Sequence, residues 1–175
     1  MMKQSIVGVV QARMGSTRLP GKSMMELAET PILELVLRRV GRARLLDEVV
    51  LATSRLERDD VLSRLAEEQD IMSIRGSEND VLSRFSDAAR QTDADVIVRV
   101  CADNPLVTPG EIDRAVEAHM ENSARYTFNH RPDLDNGYPD GLGAEVLDTG
   151  LLYYLDEVCR EPEHREHVTA YVWDN

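Results

Sequence analysis

Near the start of the chain, one loop-like segment concentrates groups that bind phosphate. It reads Gln11-Ala12-Arg13-Met14-Gly15-Ser16-Thr17-Arg18-Leu19-Pro20-Gly21-Lys22 and holds two glycines, two small hydroxyls, two arginines and a lysine. Glycine lets a backbone approach a ligand closely, and successive backbone N–H groups can cradle phosphate oxygens. Arg13, Arg18 and Lys22 add positive charge. The chain has only two lysines, Lys3 and Lys22, which sets Lys22 apart from generic surface charge. Spacing argues against a Walker A loop, which puts four residues between its glycines; Gly15 and Gly21 enclose five, including Pro20. The plain alternative is a Gly/Pro turn with solvated arginines. A second segment, Ala102-Asp103-Asn104-Pro105-Leu106, offers a carboxylate directly after an apolar run. Its plain reading is an Asp capping the turn before Pro105.

Both segments follow expected strands. Ser5 to Gln11, Glu48 to Thr53, Ile71 to Arg75 and Asp95 to Cys101 are short apolar runs rich in β-branched residues. Between them lie helical stripes: Leu33, Val36, Leu37 and Val40; Val61, Leu62, Leu65 and Ala66; Val81, Leu82, Phe85, Ala88 and Ala89. Thr30-Pro31 reads as an N-cap and first-turn proline, and Thr108-Pro109-Gly110-Glu111 as a capping box. Apolar strands alternating with helices imply an α/β fold with a mostly parallel sheet covered on both faces. Ligands of such sheets bind beyond the carboxyl ends of the strands, where both segments fall. After residue 122 the pattern changes: strands over Arg125 to Asn129 and Ala144 to Leu147, a loop over His130 to Gly143, and helices over Asp148 to Val158 and Glu163 to Trp173.

Composition narrows the function. The 175 residues carry 20 Lys plus Arg against 32 Asp plus Glu, a net charge of −12. A surface this acidic argues against a nonspecific nucleic-acid binder or a protein held on anionic membranes. It leaves room for an anionic small substrate in a local cationic pocket. Cys101 and Cys159 match neither zinc-site spacing nor a disulfide scaffold. No apolar run reaches membrane-span length, and Ile6 to Val10 is too short for a signal-peptide core. The expectation is a cytoplasmic protein with two free thiols.

The run Val10 to Lys22 closely resembles the N-terminal signature of the cytidylyltransferases, the family of the CMP-sialic acid and CMP-KDO synthetases. The match looks nearest to the branch of spore coat polysaccharide biosynthesis protein F. Asp47 to Val50 with Ala52-Thr53-Ser54, Arg75 to Arg84, Val98 to Leu106, Tyr138 to Leu142 and Arg165 to Thr169 resemble the same branch in the same order. The resemblance implies a Rossmann-like α/β/α sandwich of the nucleotide-diphospho-sugar transferase type. It implies transfer of CMP from CTP to an acidic or modified sugar, with loss of pyrophosphate. By position, Arg13 and Lys22 would bind the triphosphate, and Gly15 and Ser16 would supply close backbone. Gln11 and Ala12 would line the nucleotide site, Arg75 and Ser77 would contact nucleotide or substrate, and Asp103 would bind Mg²⁺. Arg13, Lys22 and Asp103 are thus the expected catalytic set, and Asp140, Glu145 and His167 the expected acceptor side. A homodimer is also implied.

We read residues 1–175 as a single domain, with 1–122 as nucleotide-binding core and 123–175 as acceptor-side and dimerisation subregion. Relatives usually continue past a His-Val-Thr-like segment into an Asp-Thr-x-Asp-like run bearing a second metal ligand, so the chain reads as C-terminally short. Gly143 stands where an Asp is expected, and Cys101-Ala102 where Gly or Thr is frequent. Two alternatives remain: a sugar-1-phosphate nucleotidyltransferase, whose loop typically carries paired glycines before Thr-Arg, and a domain that holds nucleotide without turnover. Asp133-Leu134-Asp135 reads as loop acidity rather than a metal motif. His164 and His167 lack the His-Glu-x-x-His order of a zinc protease. Tyr153, Tyr154, Tyr171 and Trp173 read as packing residues.

Overall fold

The computed structural model describes residues 3–16, 19–130, 138 and 141–175. Among these, six strands form one sheet in the order β5-β4-β1-β6-β8-β7. The strands β1 (Ile6–Gln11), β4 (Glu48–Ser54), β5 (Met72–Gly76) and β6 (Val96–Cys101) run parallel; β8 (Glu145–Asp148) is antiparallel to β6, and β7 (Tyr126–Phe128) to β8. The fold is therefore the mixed α/β, mostly parallel sandwich that the periodicities imply.

Strand alternation divides the core in two. Ile6, Val10, Leu51, Val96, Val98 and Val100 meet α1 (Ile32–Val40), α2 (Asp60–Glu67) and α4 (Pro109–Glu121) on one face. Val7, Val9, Val50, Ala52, Ile74 and Ile97 meet α3 (Val81–Gln91) and α5 (Thr149–Val158) on the other. Strands apolar on both faces need helices on both, and the parallel crossovers supply them. The chain moves outward from β1 through β4 to β5, then returns to lay β6 on the opposite side of β1. Beyond the carboxyl ends of β1 and β6, order reverses, and a crevice opens. Gln11 pairs with Cys101 in register, so the two strands end level.

Caps behave as their residue types dictate. Thr108 accepts from the Glu111 N–H at 3.2 Å and Asp148 from the Leu151 N–H at 2.5 Å. Two expectations need correction. Thr30–Pro31 does not cap a helix but forms β3, paired with β2 (Glu26–Leu27) across Ala28 and Glu29. Those two residues take the positive φ angles, 51° and 63°, of a tight hairpin turn. Pro31 stays extended and α1 starts at Ile32. The expected helix Glu163 to Trp173 is instead two short ones, α6 (Pro162–Glu166) and α7 (Ala170–Asp174). Val168 breaks it: its φ is 30°, its side chain is buried in the second core, and Thr169 Oγ1 donates to Glu145 Oε2 at 2.9 Å. Burial of one valine and one tertiary hydrogen bond outweigh a periodicity that a short helix barely enforces.

Candidate active site

The loop after β1 is held from below. Ala12 N–H still donates to Ala52 of β4, and the buried Asp59 then takes over: Oδ1 accepts from the Met14 N–H at 2.8 Å, and Oδ2 from the Ser54 hydroxyl. Gly21 closes the loop, its N–H donating to the Met14 carbonyl at 3.0 Å. Gly21 sits at φ 74°, a left-handed conformation that costs glycine little. A 3₁₀ turn over Lys22–Met24 follows. On the other strand, Ala102 N–H donates to the Gln11 carbonyl at 2.9 Å, so both loops leave the sheet side by side. Lys22 Nζ meets the Asp103 carboxylate as a result.

These loops enclose a cavity of about 380 Å³. Three cations line it, each facing a carboxylate. Lys22 pairs with Asp103, Arg13 Nη2 with Glu166 Oε1 at 2.5 Å, and Arg99 Nη1 with Glu145 Oε1 at 2.7 Å. Arg99, Cys101 and Asp103 alternate along one side of β6 and its extension. They line both this cavity and an adjoining one of about 210 Å³, which Glu145, Asn104 and Trp173 complete. Burial is the largest single influence on the Arg99 pKa and would lower it, but the Glu145 charge and hydrogen bond, together with the nearby Cys101 and Tyr126, outweigh it and raise the pKa, so the guanidinium stays charged. Burial pushes the Cys101 thiol up, away from thiolate chemistry. A cavity at a switch point, lined by three cations and two carboxylates beside a glycine-bearing loop, is suited to polyphosphate.

A cytidylyltransferase family model matches residues 7–137. The chain belongs to the cytidylyltransferase family. Members are nucleotidyltransferases, so the chain is of an enzyme family. It is 35% identical over 172 residues to spore coat polysaccharide biosynthesis protein SpsF of Bacillus subtilis, covering 95% of this chain and 69% of that protein. A solved cytidylyltransferase from Leptospira borgpetersenii superposes with a TM-score of 0.91 at 34% identity, covering 99% of this chain and 72% of that one. A structure of CMP:2-keto-3-deoxy-manno-octonic acid synthetase complexed with CTP shares the fold, with a TM-score of 0.71 at 16% identity over 95% of this chain and 84% of that one.

Of the residues singled out in this cytidylyltransferase's sequence, Gln11, Ala12, Arg13, Ser16, Lys22, Asp103 and His167 line the main cavity, and Glu145 lines the adjoining one. Gly15 lies beside it, covered by the Glu78 carboxylate and Arg58; an added Cβ would stand 2.8 Å from Arg58 Nη2. Arg75 and Ser77 do not line either cavity. Arg75 donates to the Ser54 and Leu56 carbonyls and pairs with Asp60 at 2.6 Å, while Ser77 Oγ accepts from the Asp80 N–H at 3.2 Å. Asp140, Thr17, Arg18, Asp133 and Asp135 lie outside the described residues. Both Glu145 oxygens are engaged, by Arg99 and by the Thr169 hydroxyl. His164 is turned to Asp174 at 2.8 Å and packs edge-on against Tyr171, apart from any pairing with His167.

Sequence reasoning missed Arg99, Glu166 and the fully buried Arg84. Arg99 had a signal: it is the one charge inside an otherwise apolar strand, where a charge must have a partner. Arg84 lies under the loop between β5 and α3, with Nη1 donating to the Ser77 and Glu78 carbonyls at 2.7 and 3.2 Å. Burial, then the nearby Arg13 charge, push its pKa down to about 10.

Among the described residues no group of three or more His, Cys, Asp and Glu is arranged to hold a metal by itself. Asp103 lines the cavity on the β6 side with its side chain 41% exposed. Mg²⁺ commonly takes one or two protein carboxylates and completes its shell with water and substrate phosphates. One accessible carboxylate beside a phosphate-sized cavity fits that pattern. Among the described residues no helix is long and apolar enough to cross a membrane.

Proposed function

We propose that the protein transfers a cytidylyl group from CTP to a hydroxyl of an acidic or otherwise modified sugar, releasing pyrophosphate, in surface polysaccharide or glycan synthesis. The observation that carries this reading is the meeting of Arg13, Lys22 and Asp103 in one cavity beyond the level ends of β1 and β6. The SpsF relative, named for spore coat polysaccharide biosynthesis, and the CTP-bound synthetase of the same fold support it.

In this reaction the acceptor hydroxyl gives up its proton to water and its oxygen bonds to the α-phosphorus as the α–β anhydride bond breaks. Pyrophosphate leaves with the bonding electrons. Charge then grows on the phosphate oxygens, and fixed cations stabilise it without reorganising at the moment of transfer. Arg13 and Lys22 would take that role, with Ser16 and the backbone of the β1 loop close to the phosphates. Asp103 would hold Mg²⁺, which when bound polarises phosphate oxygens as a Lewis acid. Glu145 and His167 mark the acceptor side.

The test is calorimetric titration with CTP, GTP, ATP and UTP in Mg²⁺, paired with a pyrophosphate-release assay, using Asp103→Ala as control. Selective CTP binding that Asp103→Ala abolishes supports the reading. Equal affinity for all four nucleotides, or binding that Asp103→Ala leaves intact, removes it.

A further inference from the structure

Arg13 does not stand open to a ligand. Its Nη2 donates to Glu166 Oε1 at 2.5 Å and its Nη1 to the Glu78 carbonyl at 3.3 Å. Glu166 lines the same cavity, with its side chain 42% exposed. Carboxylate and phosphate approach a guanidinium fork with the same geometry. The Glu166 carboxylate therefore occupies the edge of Arg13 that a phosphate would use. We propose that Glu166 is an internal competitor for nucleotide phosphate on Arg13 and thereby sets the affinity of the site for a nucleoside triphosphate; this rests on the reading of Arg13 as a triphosphate-binding residue.

The surroundings of Glu166 decide how the exchange happens. Arg165, its neighbour, is pinned by Asp80 through Nε and Nη2 at 3.0 and 2.7 Å, and by the Asp156 carbonyl and carboxylate, each at 2.8 Å. On the other side Val168 is buried and Thr169 is tied to Glu145. The backbone is anchored before and after Glu166, so α6 stays in place and the carboxylate leaves Arg13 by a change of rotamer. The pair is partly exposed, Glu166 at 42% and Arg13 at 23%, so water can take over the carboxylate while the incoming phosphate takes over the guanidinium. A triphosphate brings several negative charges to the same cation and displaces a single carboxylate. A ligand that makes no contact with Arg13 leaves the pair intact and is indifferent to Glu166.

The experiment is calorimetric titration of the wild type, Glu166→Gln and Glu166→Asp with CTP in Mg²⁺, and with cytidine by chemical-shift titration. Thermal unfolding of each variant confirms the fold. Glu166→Gln is expected to bind CTP roughly 2- to 5-fold more tightly, the range an exposed ion pair can supply, and cytidine as the wild type does. Glu166→Asp keeps the charge on a side chain one methylene shorter and is expected to bind CTP more tightly than the wild type too. CTP binding that Glu166→Gln leaves unchanged or weakens overturns the inference. So does an equal gain for cytidine, or a Glu166→Asp variant identical to the wild type, which would trace the gain to charge repulsion alone. Wild type and variants that all fail to bind CTP would instead overturn the reading of the site on which this inference rests.

Discussion

The two flanks of β6 hold their charges in different ways. On the β1 side, Lys22–Asp103 and Arg13–Glu166 are pairs between loop or helix-end residues, each with a carboxylate more than two-fifths exposed. On the β8 side, Arg99 and Glu145 stand opposite each other on adjacent strands, their side chains only 11% and 14% exposed. The pairs look alike as lists of contacts and differ in what they can do. A pair whose carboxylate water can reach opens at less cost than one buried at both ends. A buried pair is costly to break, because the abandoned charge stays in a poorly solvated place. The β1 flank is therefore built to exchange partners and the β8 flank to hold its shape, with Thr169 adding a further hydrogen bond to Glu145.

Substitutions that separate the two flanks sharpen this contrast. The largest effect on stability is expected from Arg99→Met, which strands Glu145 and should cost about 3–5 kcal/mol in denaturant unfolding. Adding Glu145→Gln should restore part of the loss; a cost near that of a surface pair would erase the distinction. On the β1 flank, Lys22→Ala should lower kcat roughly 10²–10³-fold, the scale of losing one transition-state donor. Its unfolding free energy should stay within about 0.5 kcal/mol of the wild type, as for an ordinary surface change. A large stability loss there would mean that Lys22–Asp103 is structural.

Asp59→Ala tests the support beneath the β1 loop. It orphans the Met14 N–H and the Ser54 hydroxyl and should cost about 1–3 kcal/mol, with a higher KM for nucleotide. The smallest effect belongs to His119, buried on α4 with Nδ1 3.1 Å from Thr127 Oγ1. Burial holds its pKa below the ordinary 6.5, against a weaker upward pull from Asp148. The unfolded chain then binds the proton more readily than the folded one. The His119 contribution is fully favourable above pH 6.5 and is lost as pH falls below that value toward the depressed folded pKa. Urea unfolding of the wild type and His119→Gln between pH 7 and pH 5 should show a steeper acid loss in the wild type.

Much of the fold was legible because its signals are local. The apolar strands β1, β4, β5 and β6 and the stripes of α1 to α3 follow from period and residue type, and the cap at Thr108 from chemistry within one turn. The two misreadings have different causes, one an unrecognised local turn at Ala28 and Glu29 and the other a tertiary contact. Thr30–Pro31 is drawn into a hairpin with Glu26–Leu27, and the helix expected over Glu163 to Trp173 breaks where Val168 enters the core. In the site, loop composition marked Arg13, Ser16, Lys22 and Asp103. Arg75 and Ser77 were marked by resemblance yet are occupied elsewhere, with Asp60 and Asp80.

The sequence by itself determined the parallel α/β layering and the place of two loops at strand ends, while the cytidylyltransferase reading of their residues came from resemblance. These depend on periodicity and on side-chain types within short windows, which folding preserves. Only the tertiary structure decided which carboxylate faces which cation. Glu166 lies 153 positions from Arg13, and Asp103 lies 81 from Lys22. Pairings at such separations are set by the strand order around β1 and by where Arg165 and Val168 anchor the chain, and no local pattern carries that information.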